Sequence, residues 1–437
     1  MTTKNFLNFF ILITLTSMLS CSSQECRFCN EKQQGAVFQN IRSKADTSVF
    51  YNIYVPANTK NNKLPALIFF DAHGNTAPAI KKYTTLADKY SIMLVGFNAS
   101  ENGMPFENIW GAFNSWIPEL YKTAPVDSNS LFLVGFSGGA RVVSLIENKM
   151  PNVLATALCC AGPSDIELWL SKATPSMLFT GTGDFNYFEI NSLKNNTNVP
   201  RTFNINVYQG SHEWPPVEAF EDFFVLMSRL TNKSFNCEEK YCKDRAINYS
   251  KNGRPDLAFY SVSSAIFSLG NKASANLLSF ADSLKTIIPV SFTEEINLCA
   301  NEEYSLNKRI GFMFQNADTT SFFALMDSID SKIQIESYSV KADAFQRVKA
   351  WGGIAAYSFS KKAREMDVPF LFSILRMYEY IEPDNTDMLV LMSAYYAKNN
   401  DCIKAKQYLK TAKRKGFNNN KQLKSMKEFD NCEGILD

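Results

Sequence analysis

Leu131-Phe-Leu-Val-Gly-Phe-Ser-Gly-Gly-Ala140 is an apolar run that leads directly into a Gly-x-Ser-x-Gly turn. Leu131 to Val134 form the unbroken apolar stretch expected of a strand buried on both faces of a parallel sheet. Val142, Val143, Leu145 and Ile146 then supply the apolar face of a helix that packs back on that sheet. A strand, a sharp turn and a helix of this composition hold one serine hydroxyl, here Ser137, exposed above the sheet in a strained conformation. Gly135 and Gly139 leave room for the turn, because a Cβ at either position would meet neighbouring backbone. Gly138 follows the serine, so its N–H can face an oxyanion forming there. An ordinary glycine-rich strand-to-helix turn is the plainer alternative; the strand before and the helix after favour the serine turn.

A serine hydroxyl becomes a nucleophile only when a base takes its proton, and the base must be oriented by an acid. The 437-residue chain has only two histidines, His73 and His212. His212 lies downstream of the serine in Tyr208-Gln-Gly-Ser-His-Glu-Trp-Pro-Pro216, after an expected strand Phe203 to Tyr208 and before an amphipathic stretch reaching Leu230. This makes His212 the candidate base. His73 precedes the serine in Phe69-Phe-Asp-Ala-His-Gly-Asn75, after the apolar run Leu64 to Phe70. Its loop is the candidate source of a second oxyanion N–H, from Gly74 or Asn75. Asp184, after an expected strand Met177 to Thr180, falls between Ser137 and His212 in chain order, and the loop that follows is long enough to carry its carboxylate to the histidine, so it is the favoured acid. Asp165, after the expected strand Leu154 to Cys160, is its rival; the bland role for either is a turn or an N-cap.

Gly135-Phe-Ser-Gly-Gly139, the His73-Gly74 loop and His212-x-Trp214-Pro215 together resemble the small, capless α/β-hydrolases related to polyhydroxyalkanoate depolymerases, feruloyl esterases and acetyl xylan esterases. The resemblance covers about Thr47 to Lys233. It implies an α/β-hydrolase fold with a doubly wound, mostly parallel sheet, and a serine carboxylic ester hydrolase that forms an acyl-enzyme and needs no cofactor. Ser137, Asp184 and His212 take the matching catalytic roles, Gly138 with Gly74 or Asn75 the oxyanion roles, and His73, Phe136 and Trp214 fall where substrate would lie. Asn75 after the His-Gly pair and Phe136 before the serine depart from the pattern, so the identity of the ester is not carried over.

The loops between the expected strands are too short to hold a cap, which predicts an open cleft able to admit an ester on a polysaccharide or polyester. Trp110, Phe113 and Trp116 could line that cleft, but their spacing is that of a core-facing helix stripe, and the core reading is favoured.

At the amino terminus one lysine precedes the apolar run Phe6 to Leu15, which is too short to cross a bilayer as a mature helix and reads as an export signal. Leu19-Ser20-Cys21 resembles a bacterial lipoprotein box, implying lipidation at Cys21, and Ser22 after it favours the outer membrane. The expected layout is a signal over 1–20, a tether over 21–46, the hydrolase over 47–233 and a helical region over 234–437. Export makes the ten cysteines candidates for disulfides. Cys26 with Cys29, Cys237 with Cys242, and Cys402 with Cys432 are neighbouring pairs whose connectivity stays open. Cys159 and Cys160 end an expected strand and read as core. Two histidines, both otherwise placed, leave nothing to support a metal site.

Beyond about Cys237 the pattern becomes helical. Tyr249, Ala258, Val262 and Ala265 repeat the spacing of Tyr396, Ala405, Leu409 and Ala412. Small alanines there let paired helices approach, which resembles a tetratricopeptide repeat, with 352–385 a degenerate copy and about 285–337 helical without further detail. Such repeats would offer a surface to a protein partner. A net charge of +2 with no basic stretch argues against nucleic acid as a partner, and no phosphate-binding or dinucleotide loop follows any expected strand. The competing reading is a lipoprotein scaffold whose hydrolase fold has lost activity; a peptidase of the same fold is the third.

Overall fold

The computed structural model describes residues 27–28, 34–57, 59, 63–196, 199–232, 239–288, 290–417 and 419–436. The expected signal, Cys21, Cys26, Cys29 and Cys237 lie outside these residues. No helix among the described residues is long and apolar enough to cross a membrane.

Eight strands form one sheet: β1 (Val37–Arg42), β2 (Phe50–Tyr54), β3 (Leu64–Asp71), β4 (Met93–Phe97), β5 (Val126–Phe136), β6 (Val153–Cys159), β7 (Ser176–Gly181) and β8 (Phe203–Tyr208). Their spatial order is β1-β2-β4-β3-β5-β6-β7-β8. β2 runs antiparallel to β1 and β4, and every other neighbouring pair is parallel. The helices interleaved with the strands are α1 (Ala77–Lys82), α2 (Thr84–Tyr90), α3 (Phe106–Thr123), α4 (Gly138–Ile146), α5 (Ile166–Leu170), α6 (Tyr187–Ser192) and α7 (Val217–Leu230). This is the α/β-hydrolase arrangement, and a large helical region follows it.

The continuous apolar runs of the central strands have a direct cause. Successive residues of a strand face opposite sides, and here both sides are covered by helices. Ala66, Ile68 and Phe70 of β3 enter one core with Ile109, Phe113 and Trp116 of α3 and Val143 of α4. Leu67 and Phe69 enter the other with Phe220 and Phe223 of α7. Phe113 and Trp116 are fully buried and Trp110 packs on the same core, so the stripe anchors α3 to the sheet and does not line a cleft.

Two boundaries differ from the sequence reading. β1 lies inside the stretch expected to be a tether, where it pairs with β2, and Phe28 is buried in the first core. Past 233, α8 (Glu239–Lys251), α9 (Pro255–Leu269) and α10 (Ala275–Ile287) contribute Ala246, Ala258, Val262 and Leu284 to the second core. β8 is the last strand of the sheet, and the apolar face it leaves beyond α7 is closed by these helices, so the layer does not end where the strand pattern ends.

The remaining helices are α11 (Val290–Gln315), α12 (Thr319–Ile335), α13 (Val340–Glu365), α14 (Leu371–Ile381), α15 (Thr386–Lys398), α16 (Cys402–Arg414) and α17 (Asn420–Ser425). They enclose a separate core that includes Ile310, Phe322, Val348, Leu375, Met392 and Leu409. Ala405, Leu409 and Ala412 of α16 are buried, as are Leu389 and Met392 of α15. The two stretches that share a spacing therefore sit in different cores: Ala258 and Val262 on the sheet, Ala405 and Leu409 in the helical region. Cys402 and Cys432 are joined in a disulfide that ties the start of α16 to the chain's last turn.

Candidate active site

Ser137 sits between β5 and α4 with φ 54° and ψ −120°, a conformation that costs a non-glycine residue of order 1–3 kcal/mol. Backbone contacts on both sides hold it there. A Cβ on Gly135 would lie 2.2 Å from the Gly139 carbonyl oxygen, and one on Gly139 would lie 2.3 Å from that of Phe70, so the turn closes only with glycine at both positions. The Ser137 N–H donates to the Cys159 carbonyl at 2.8 Å, tying the turn to β6.

The structure brings Ser137, His212 and Asp184 into one line. His212 Nδ1 is 2.9 Å from Asp184 Oδ1, and His212 Nε2 is 3.0 Å from Ser137 Oγ. Because a carboxylate only accepts, Nδ1 carries the imidazole proton and Nε2 is left to accept from the serine hydroxyl. Asp184 is fully buried in the loop after β7. Its Oδ1 also accepts the Asn186 N–H at 2.8 Å, and Asn186 Nδ2 donates to the Cys160 carbonyl at 2.8 Å, so Asn186 stitches the acid loop to the end of β6. Asp165 takes the other role open to it. It is the N-cap of α5, accepting from the Leu168 N–H at 3.0 Å.

The β3-to-α1 loop is arranged differently from the sequence reading. Gly74 donates its N–H to the Asp71 carbonyl at 3.3 Å, and a Cβ on it would lie 2.7 Å from the Asn98 carbonyl oxygen and 3.1 Å from the Glu101 side chain. Asn75 is exposed. The loop residue that reaches the serine turn is Ala72, whose Cβ would lie 3.5 Å from a Cβ on Gly138. The cause is register. Asp71 pairs with Phe136 across the β3–β5 ladder, which sets Ala72 beside the residues that follow Phe136 and carries His73-Gly74 past them. The Asp71 carboxylate then accepts the His73 N–H at 2.9 Å.

Asn102, which carried no motif, was missed by the sequence reading. Its N–H donates to the Ala72 carbonyl at 2.8 Å, and its side-chain amide oxygen lies over Gly138. Its only signal is tertiary, since it lies in the loop between β4 and α3. Phe185 was missed too; its ring stacks on His212 with centroids 4.2 Å apart. Phe136 lies 5.0 Å from His212 and stacks on Trp214 at 5.2 Å, and Trp214 reaches back to Asp71 Oδ2 through Nε1 at 3.4 Å. Both therefore stand at the site. His73 points outward, its side chain 76% exposed, with Nδ1 3.7 Å from Asp71 Oδ1. The neighbouring Asp71 carboxylate raises the His73 imidazole above its ordinary value, and Asp387 of α15 and Glu101 add to the rise.

Cys159 and Cys160 are both buried at the end of β6. Cys160, Asp184 and His212 have donor atoms within 4.8 Å of one another, a spacing compatible with a metal ion. The facing atoms of Asp184 and His212 are spent on each other, Cys160 Sγ donates to the Glu213 carbonyl at 3.2 Å, and burial pushes its thiol well up. Holding an ion there would break the Ser137-His212-Asp184 line.

No known protein-family model and no curated protein matches this chain. Solved structures similar to it include esterase B from Lactobacillus rhamnosis, inhibited by a tributyrin phosphonate, at 16% identity over 53% of this chain and 97% of that one, TM-score 0.37. A ferulic acid esterase is similar at 16% identity over 46% and 98%, TM-score 0.35. Est1E from Butyrivibrio proteoclasticus is similar at 11% identity over 45% and 100%, TM-score 0.36. Likeness at this level assigns neither activity nor substrate to this chain.

Proposed function

We propose that the chain is a serine hydrolase of carboxylic esters. The observation that carries this reading is the hydrogen-bonded line from a strained, buttressed serine through a correctly oriented imidazole to a buried carboxylate. Ser137 Oγ attacks the ester carbonyl while His212 Nε2 takes its proton, and Asp184 stabilises the imidazolium that forms. The tetrahedral oxyanion is held by the N–H of Gly138 together with an N–H of the loop after β3. One such donor contributes about 3 kcal/mol to transition-state stability. Collapse expels the alcohol, which leaves with the proton from His212, and water releases the acyl group from Ser137 by the same steps.

Ser137→Ala abolishes turnover of short p-nitrophenyl esters and labelling by a fluorophosphonate while leaving the far-ultraviolet circular dichroism unchanged. A folded wild-type chain that neither turns over esters nor takes the label refutes this reading and leaves the scaffold alternative. Polymer-linked acetyl, feruloyl and aliphatic esters are the substrates to screen. We further propose that Cys21 is lipidated and holds the enzyme at the outer membrane, which mass spectrometry of the mature amino terminus tests, and that the α15–α16 pair serves a protein partner as a repeat-like surface.

A further inference from the structure

Asp184 and His212 ride on two separate loops, after β7 and after β8, and catalysis requires these loops to keep a fixed spacing. One side chain of the helical region grips both. Asp343, in the first turn of α13, accepts from Thr182 Oγ1 at 2.9 Å and from Gln209 Nε2 at 3.0 Å through the same oxygen, Oδ1. Thr182 is two residues before Asp184, and Gln209 is three before His212. The other oxygen of Asp343 accepts from Arg254 Nη1 at 2.7 Å, and Arg254 also donates to Gln209 Oε1 at 3.0 Å and binds Asp256 through two bonds.

One helical turn further along α13, Arg347 donates to the Thr182 carbonyl at 2.6 Å and to Glu303 of α11 at 2.9 Å. Its guanidinium lies over Tyr187 and Phe188, the residues that close the acid loop, at 4.7 and 5.0 Å. Asp343, Arg254, Thr182 and Arg347 are each no more than 3% exposed. Hydrogen bonds among buried charges are strong and directional, and they hold geometry where apolar packing would allow sliding.

We propose that Asp343 and Arg347 are positioning residues that set the spacing of Asp184 and His212, which makes the helical region an integral part of the hydrolytic unit. This rests on the serine hydrolase reading above and adds to it where the geometry of the acid and base comes from. Neither residue touches a substrate; each acts through Thr182 or Gln209. A 1 Å misplacement of a catalytic group can lower a rate by about 10²-fold. Asp343→Asn puts an amide N–H₂ against either Arg254 or the Thr182 and Gln209 donors, and loosens both loops at once.

The test uses the full chain labelled with ¹⁵N-histidine, in which only His73 and His212 give signals. Asp343→Asn, and the paired Arg347→Met with Glu303→Gln, are compared with Arg364→Met, which removes an ion pair to Glu428 at the far end of the same helix. The expected result is a fall in kcat of about 10- to 100-fold with KM within about twofold for the first two, together with loss of the hydrogen-bonded His212 Nδ1–H resonance. Arg364→Met lowers thermal stability and leaves kcat and the resonance unchanged. Wild-type kcat and an unchanged resonance in either of the first two variants overturn the proposal, as does an equal loss of both in Arg364→Met. A wild-type chain that shows the resonance but takes no fluorophosphonate label refutes the hydrolase reading instead, and the resonance still decides the positioning claim.

Discussion

Replacing Asp184 by asparagine removes a charge and almost no volume, so its effect isolates the electrostatic role of the acid. Oδ1 accepts both the His212 Nδ1–H at 2.9 Å and the Asn186 N–H at 2.8 Å. An asparagine that keeps its carbonyl oxygen in that place preserves the tautomer and the loop, and what disappears is the attraction between carboxylate and imidazolium. With the charge centres roughly 4 Å apart and an effective dielectric near 20, that attraction is worth about 4 kcal/mol. Since about 1.4 kcal/mol is tenfold in rate, kcat/KM on a p-nitrophenyl ester falls by about 10³-fold. The loss appears in kcat, because the imidazolium exists only once the serine proton has moved. Asp165→Asn is the matched control: Asp165 caps α5, asparagine caps nearly as well, and activity and stability stay near wild type. An Asp184→Asn enzyme within tenfold of wild type, or one whose KM rises while kcat holds, refutes the role given to Asp184.

Three further outcomes are expected. Gly139→Ala drives a methyl to 2.3 Å from the Phe70 carbonyl oxygen, so the variant fails to give soluble, folded protein, whereas Gly111→Ala, with open space around it, expresses normally. The Cys402–Cys432 bridge closes a loop of sequence separation 30. In the chain-entropy account, such a bridge contributes about 3 to 4 kcal/mol; paired melts with and without reductant should show the helical region unfolding earlier when reduced, and superimposable melts would count against this. An NMR titration should place His73 above the ordinary histidine value of about 6.5, and Asp71→Asn should bring it back down. The contact with Asp71 therefore favours the folded state below the ordinary histidine value, and its contribution fades as pH rises through the raised value. An unchanged midpoint in Asp71→Asn would remove Asp71 as the cause.

Much of the site was legible because its signals are local. A strand-turn-helix with glycines two residues either side of a serine is a statement about adjacent backbone, and the contacts at Gly135 and Gly139 are of that kind. The shortage of histidine left a single candidate downstream of Ser137. The choice between Asp184 and Asp165 leaned on loop length, and the structure gives the reason in the N-cap bond at Asp165. Which residue of the His73-Gly74 loop stands beside Gly138 was not legible, because ladder register decides it. Register belongs to the pairing of β3 with β5, where Asp71 meets Phe136 from a distant part of the chain, and no local pattern carries it.

By itself the sequence determined the five parallel strands β3, β5, β6, β7 and β8, the serine turn and the two histidines available to serve it, because hydrophobic period and steric room are properties of neighbouring residues. Only the tertiary structure decided that Ala72 and Asn102 flank Gly138, that β1 joins the sheet, that α8 to α10 complete its second core, and that Asp343 and Arg347 clasp the acid and base loops. The physical reason is that a buried charge must be paired. Arg254 and Arg347 find their partners wherever the packed helices bring them, and the sequence separation between Thr182 and Asp343 leaves no trace of that meeting.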